Sequence, residues 1–211
     1  MNTEELWAVV ADQRRQIAAF LGGLEPDEWN HPTLCDRWTV KDVAAHLAVV
    51  PHAPSVPRTV FMVVRARGDA DQVNHDIACT YAAQRTPSEL MTELQGQATD
   101  RRLPGVTTLK NLAMDLVAHG QDMAIPLGRA LPVDPAAALS ALRRAWTMGW
   151  PWYAARRLAG YRLVATDADW TQGQGEEIRG PALSLLLLAT GRKPSVLPGL
   201  EGAGLARLAQ A

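Results

Sequence analysis

Residues 109–124 read LKNLAMDLVAHGQDMA, a helical run that is apolar on nearly every side. A helix of that kind must be enclosed by other elements, so the remaining chain has to build a core around it. One polar stripe breaks the pattern. At the helical period Asp115 and His119 lie about 40° apart with Asp122 between them, and Asn111 extends the stripe one turn earlier. Leu109, Leu112, Leu116, Met123 and Leu127 flank the stripe on one side, and Met114, Ala118 and Ile125 on the other. Ala113, Val117, Gly120 and Ala124 form the far face, and only Lys110 and Gln121 are clearly polar elsewhere. Bracketed in this way, the stripe is expected to point into a bundle. Carboxylates and imidazoles there must pair, hydrogen-bond or coordinate a cation, because stranding them is costly.

Partners for this helix are legible on its N-terminal side. An amphipathic helix is expected over about residues 3–21, with Leu6, Val9, Val10, Ile17, Phe20 and Leu21 as its apolar faces. GGLEPDEWNHPTLCDRW then reads as a Gly/Pro-punctuated loop with one short turn at 26–29. Thr39 and Asp42 form a capping box that starts a helix through VKDVAAHLAVV, interrupted near Pro51, Pro54 and Pro57. RTVFMVVRAR, ending at Gly68, and DADQVNHDIACTYAAQR supply further helix. Thr86, Pro87 and Glu89 open SELMTELQGQATDRR. The sum is an up-and-down bundle of about four long helices with short extras, over residues 1–132.

Residues 133–211 have another character. Asp134-Pro135 starts one more helix, YRLVATDADW reads as a strand, and TQGQGEEIRG as a turn and a returning strand. Gly180-Pro181 opens ALSLLLLAT, an apolar helix closed by Gly191. The expected fold class is therefore mainly α, a four-helix bundle followed by a small α+β domain. The pair Gly173 and Gly175 lacks the third glycine of a dinucleotide loop and falls in the hairpin, which excludes that reading.

A formal charge of −1 gives no electrostatic reason to expect nucleic acid or an anionic membrane as partner. The apolar runs fall short of the roughly 20 residues that span a bilayer, and the acidic, amphipathic start is no leader, so a cytoplasmic protein is expected. Cys35 and Cys79 form no C-x-x-C unit and read as small buried residues, with no pattern to make Cys35 a nucleophile.

A hydrogen-bonded polar network would satisfy the stripe: Asp115 with His119, and Asp122 with a loop backbone. His46 opens a second possibility. It lies on the apolar stripe of its helix with Val43, Leu47 and Val50, so it too is expected to face inward. Two histidines and one carboxylate suit a borderline divalent cation and leave coordination positions open for water or substrate, as reactive sites do. His31 and His52, in Pro-bearing loops, and His75, beside Asn74 and Asp76, are set aside as surface residues.

Three stretches in order, LCDRWTVKDVAAHLA, TPSELMTEL and DLVAHGQDMAIPLGR, resemble the mycothiol-dependent maleylpyruvate isomerase family, and RLVATDADWTQGQGEEIRGPALSLLLLATGR is similar to that family's smaller C-terminal domain. The resemblance implies a DinB-like bundle that binds a divalent metal, often zinc, at His46, Asp115 and His119. These are the residues the helical wheel selects. It also implies mycothiol as a thiol co-substrate and Arg192, in TGRKP, as a residue of the thiol-binding cleft. Arg192 would there hold a carboxylate of substrate or cofactor; as a cation after a helix it would equally complement the helix dipole. In the isomerase the carboxylate ligand is a glutamate where this chain has Asp115, so the ion is drawn toward this helix or a water fills the gap. Asp122 is expected to hold His119 or a loop in place.

On that resemblance a metal-bound thiolate attacks a small electrophile, giving isomerisation or thiol transfer. Neither cysteine lies in the helices that supply the ligands, so the thiol is expected to come from outside the chain. A metal-dependent hydrolase using bound hydroxide, and a non-catalytic metal-binding or sensor protein, remain alternatives.

Overall fold

The computed structural model describes residues 1–105 and 107–210, with Lys193 and Pro194 as backbone only. The chain forms two compact units: Met1–Leu112 with His119–Leu131, and Ala113–Ala118 with Pro132–Ala211. The division passes through one unbroken helix, Leu109–Ala124.

In the first unit, α1 (Thr3–Gly22) starts from a capping box between Asn2 and Glu5. The loop after it has one 3-10 turn, Glu28–Asn30, which buries Trp29. α2 (Val40–Val49) follows, with its own box between Thr39 and Asp42. Then come α3 (Val56–Arg65), α4 (Ala70–Ala83), α5 (Pro87–Gly96) and α6 (Leu109–Ala124). α2 packs on α4 and α5, and α1 packs on α5. α6 meets α1 at Gly120, where an added Cβ would touch Ile17 and collide with the Leu131 side chain.

Two polar links fix α2 in this frame. The Gln97 side chain donates to the Ala48 carbonyl in the last turn of α2. Arg14, fully buried on α1, donates from Nη1 to the carbonyls of Gln97 and Asp100, each at 2.8 Å. Burial lowers the pKa of this guanidinium, and the nearby Asp100 charge opposes that shift. No helix among the described residues is long and apolar enough to cross a membrane.

The second unit contains α7 (Pro135–Thr147), α8 (Ala154–Arg157), β1 (Gly160–Ala165), β2 (Thr171–Gly173), β3 (Gly175–Gly180), α9 (Ala182–Ala189), α10 (Lys193–Val196) and α11 (Leu205–Gln210). α9 packs on α7 and touches β1 and β3. Its buried first-turn Ala182 N–H is satisfied by Asp167 Oδ1 at 2.8 Å. The fold class read from the sequence, helices first and a small α+β part after, is the one observed.

One strand expectation needs correction. TQGQGEEIRG is not a turn and a single returning strand; it splits into β2 and β3, which flank β1 on opposite sides in the order β2-β1-β3. β2 runs antiparallel to β1 (Leu163 opposite Gln172), whereas β3 runs parallel (Leu163 opposite Ile178). The chain crosses the start of β1 through Gly173-Gln174-Gly175. Gly173 and Gly175 have φ of +81° and +119°. A Cβ on either would run into a backbone carbonyl oxygen, of Tyr161 or Gly160 respectively. The glycine pair is thus a crossing, not a hairpin tip. Gly175→Ala is expected to destabilise the protein by roughly 2–3 kcal/mol, through strain and a backbone collision. Urea unfolding checks this, and an unchanged midpoint would remove the crossing as the reason for the glycine.

Candidate metal centre

From Asn111 to Ala124 no residue of α6 is exposed, and all but three are buried. The three are Asn111, Asp115 and His119, each half-buried, spaced i, i+4, i+8 along one stripe. The polar stripe is thus the one face of this helix segment with solvent access. His46, by contrast, is 8% exposed, on a helix whose residues Val43 to Val49 are all buried.

α2 and α6 bring these side chains together. The rings of His46 and His119 meet edge-on, with centroids 4.9 Å apart. His46, Asp115 and His119 each offer one ligand atom, and the three atoms lie within 4.8 Å of one another. Trp38, just before the Thr39 cap, packs against both rings, at 5.1 Å from His46 and stacked at 5.9 Å on His119.

Asp122 is wholly buried and bonds to His119, with Nδ1 to Oδ2 at 2.9 Å. Because a carboxylate only accepts, Nδ1 carries the proton, which leaves the lone pair of the ring on Nε2. The main-chain carbonyl of Asp122 also receives the Leu34 N–H at 3.1 Å, tying the 31–39 loop to α6.

That tie delivers a residue that sequence reading left out. Cys35 Sγ lies 3.0 Å from Asp122 Oδ2, to which it donates, and 3.4 Å from His119 Nδ1. Cys35, His119 and Asp122 form a second donor group within 4.8 Å. Cys35 lies outside the helices that supply the ligands, as read from the sequence, yet its loop brings the thiol against His119 and Asp122 of α6. The residue sits in a loop, where helical periodicity carries no information, and its placement depends on a main-chain bond from Leu34.

His75 is closer to the site than its neighbours suggested: its ring is 6.3 Å from that of Trp38, and its Nε2 is 3.6 Å from Cys79 Sγ. His52 is exposed, and the half-buried His31 bonds through Nδ1 to the Pro32 carbonyl. Arg192 is half-buried just beyond α9 and donates from Nη1 to the Thr190 carbonyl at 2.8 Å.

Residues 10–103 match the family described as the mycothiol maleylpyruvate isomerase N-terminal domain. The match includes His46 and Cys35 and ends before Asp115 and His119. Two uncharacterized proteins of Mycobacterium tuberculosis, from the CDC 1551 / Oshkosh and H37Rv strains, are 26% identical over 144 residues, covering 65% of this chain and 76% of theirs. A crystal structure of the mycothiol-dependent maleylpyruvate isomerase aligns over 96% of this chain and 93% of its own, with a TM-score of 0.60 and 15% identity. A histidine-to-alanine mutant of that isomerase aligns equally well, at 14% identity. At such identities the likeness is one of fold.

Burial, then the negative charge of Asp42, push the Cys79 thiol up to about 11. In the Cys35→Ser protein, where Cys79 is the remaining thiol, its alkylation rate is expected to rise with pH until about 11. A plateau near about 8.5, the ordinary thiol value, would show that these neighbours do not govern it.

Proposed function

We propose that the chain is a metal-dependent, mycothiol-dependent enzyme acting on a small electrophile by isomerisation or thiol transfer, with His46, Asp115 and His119 as ligands. The observation that carries this reading is the convergence of the three donors within 4.8 Å, where His46 of α2 meets the one stripe of the Asn111–Ala124 segment that keeps solvent access. Two imidazoles and a carboxylate fit a borderline cation, zinc above all, and three protein ligands leave room for a further one. The family match and the shared fold supply the thiol and the isomerase chemistry of this proposal.

When bound, such a cation lowers the pKa of a thiol beside it, so that thiolate exists at neutral pH. The chain's own residues prepare for this. Asp122 holds the proton of His119 on Nδ1 and so keeps Nε2 as the ligating nitrogen. Trp38 closes the space beside both imidazoles with an apolar ring, which limits water on that side. Asp115 contributes the negative charge that two neutral histidines lack.

Cys35 does not replace the external thiol in this scheme. An activated cysteine needs a histidine that meets the sulfur through one ring nitrogen and its orienting carboxylate through the other. Here the sulfur and the Asp122 carboxylate crowd the same nitrogen, Nδ1, and the thiol donates to the carboxylate. Arg192 is assigned to a carboxylate of the thiol or the substrate. The setting is the cytoplasm, where small thiols are kept reduced.

Alanine at His46, Asp115 or His119 is expected to lower metal content sharply while the far-ultraviolet helical signal persists. Chelation should lower the melting temperature, since an ion at about 100 times its dissociation constant stabilises the fold by roughly 3 kcal/mol. Elemental analysis and melting curves read both effects, and full occupancy in His46→Ala would sink the ligand set. Turnover of an electrophile panel should require added mycothiol, and Arg192→Ala should raise the KM for the thiol at normal metal content. Turnover without thiol would replace this reading with the hydrolase.

A further inference from the structure

We propose that Cys35, Asp122 and Nδ1 of His119 form a second cation site, which takes a thiophilic divalent ion such as cadmium and withdraws His119 from the His46–Asp115 set when filled. The donors are already assembled, with Sγ to Oδ2 at 3.0 Å, Nδ1 to Oδ2 at 2.9 Å and Sγ to Nδ1 at 3.4 Å. A tetrahedral ion of zinc's size needs edges of about 3.3–3.6 Å between sulfur, nitrogen and oxygen donors, and the larger cadmium ion somewhat longer ones. For an ion of zinc's size each observed edge therefore has to lengthen by only roughly 0.2–0.6 Å. Thiolate selects for soft ions, the buried Asp122 adds charge, and the half-buried Cys35 gives solvent a way in.

The protons balance as follows. The ion displaces the Cys35 proton to solvent and forms a bond to Sγ, while the His119 proton leaves Nδ1 for Nε2. A neutral imidazole has one lone pair. Once Nδ1 serves the thiol-side ion, Nε2 is an N–H donor and no longer a ligand for the ion held with His46 and Asp115. The two donor sets share one ring and use it alternately. Cys79 hydrogen-bonds with Asp42 and approaches His75 at 3.6 Å, but among the described residues these donors do not close into one three-donor group as those around Cys35 do.

The exclusion of the first ion rests on the ligand role proposed above for His46 and Asp115; the thiol-side site itself does not. The test is a cadmium titration of the metal-free full chain, read by thiolate-to-cadmium charge-transfer absorption. One equivalent is expected to develop the band in wild type, in Cys79→Ser and in His46→Ala, and to develop none in Cys35→Ser. Serine retains a donor to Asp122, and the far-ultraviolet signal verifies that this variant is folded. A band that persists in Cys35→Ser, or that disappears in Cys79→Ser or in His46→Ala, overturns the site. In a second arm, one equivalent of cadmium should weaken zinc binding at least tenfold in wild type and leave it nearly unchanged in Cys35→Ser. Equal weakening in both overturns the shared ring. A cadmium band together with no zinc binding by any form would instead remove the His46–Asp115–His119 reading and leave the thiol site standing.

Discussion

Much of the first unit's local order converges on one buried carboxylate. Asp122 has no exposed surface, yet it bonds to His119 through Oδ2, receives the Cys35 thiol on the same oxygen, and accepts the Leu34 N–H on its main-chain carbonyl. A charge so enclosed is tolerable only while its partners stay in place. Those partners come from a loop and from its own helix, so satisfying Asp122 fixes the loop on α6. The same loop ends in Trp38 and the Thr39 cap, so its position also sets where α2 begins and where Trp38 meets His46. Loop, cap and imidazoles are thereby coupled through a single residue.

α6 inverts the usual logic of an amphipathic helix. A surface helix turns its polar side to water and its apolar side to a core. From Asn111 to Ala124 the apolar sides are all buried, and the polar stripe of Asn111, Asp115 and His119 keeps only partial access. Partial access suits a reactive centre. Full burial would strand the carboxylate and bar a substrate, whereas full exposure would weaken every electrostatic contact by screening. The enclosed sides of α6 and the two links that pin α2, through Gln97 and Arg14, hold the donors in register.

What could be read from the sequence follows the reach of periodicity. The buried faces of α2 and α6 are visible in the spacing of their apolar residues, and the capping boxes at Thr39 and Thr86 mark where helices start. His46, Asp115 and His119 were selected because each sits on such a face. Cys35 was missed because a loop has no period, and its place beside His119 depends on a turn in which Arg37 has a φ of +68°. His75 was set aside because Asn74 and Asp76 are polar, although its ring lies near Trp38. β2 and β3 read as a turn and a returning strand because the residue pattern does not reveal that the chain crosses to the other side of β1. Only the close approach of Gly173 and Gly175 to backbone carbonyls shows that.

Asp115 bears on how far chemistry and specificity can be separated. In the family that the sequence resembles the corresponding carboxylate is a glutamate, whose oxygens reach about 1.5 Å further from the helix. The shorter side chain still brings its ligand atom within 4.8 Å of both imidazoles, because α2 and α6 hold the two rings at 4.9 Å. The donor set therefore tolerates the loss of a methylene. An ion drawn toward α6 would nevertheless alter the position and angle at which any further ligand meets it, and reactions in such sites depend on near-attack geometry. A scaffold can thus keep its metal chemistry while the electrophile that fits beside the ion changes. As a ligand set, His46, Asp115 and His119 would argue for a class of reaction, and the substrate would have to be sought in the surfaces around Asp115.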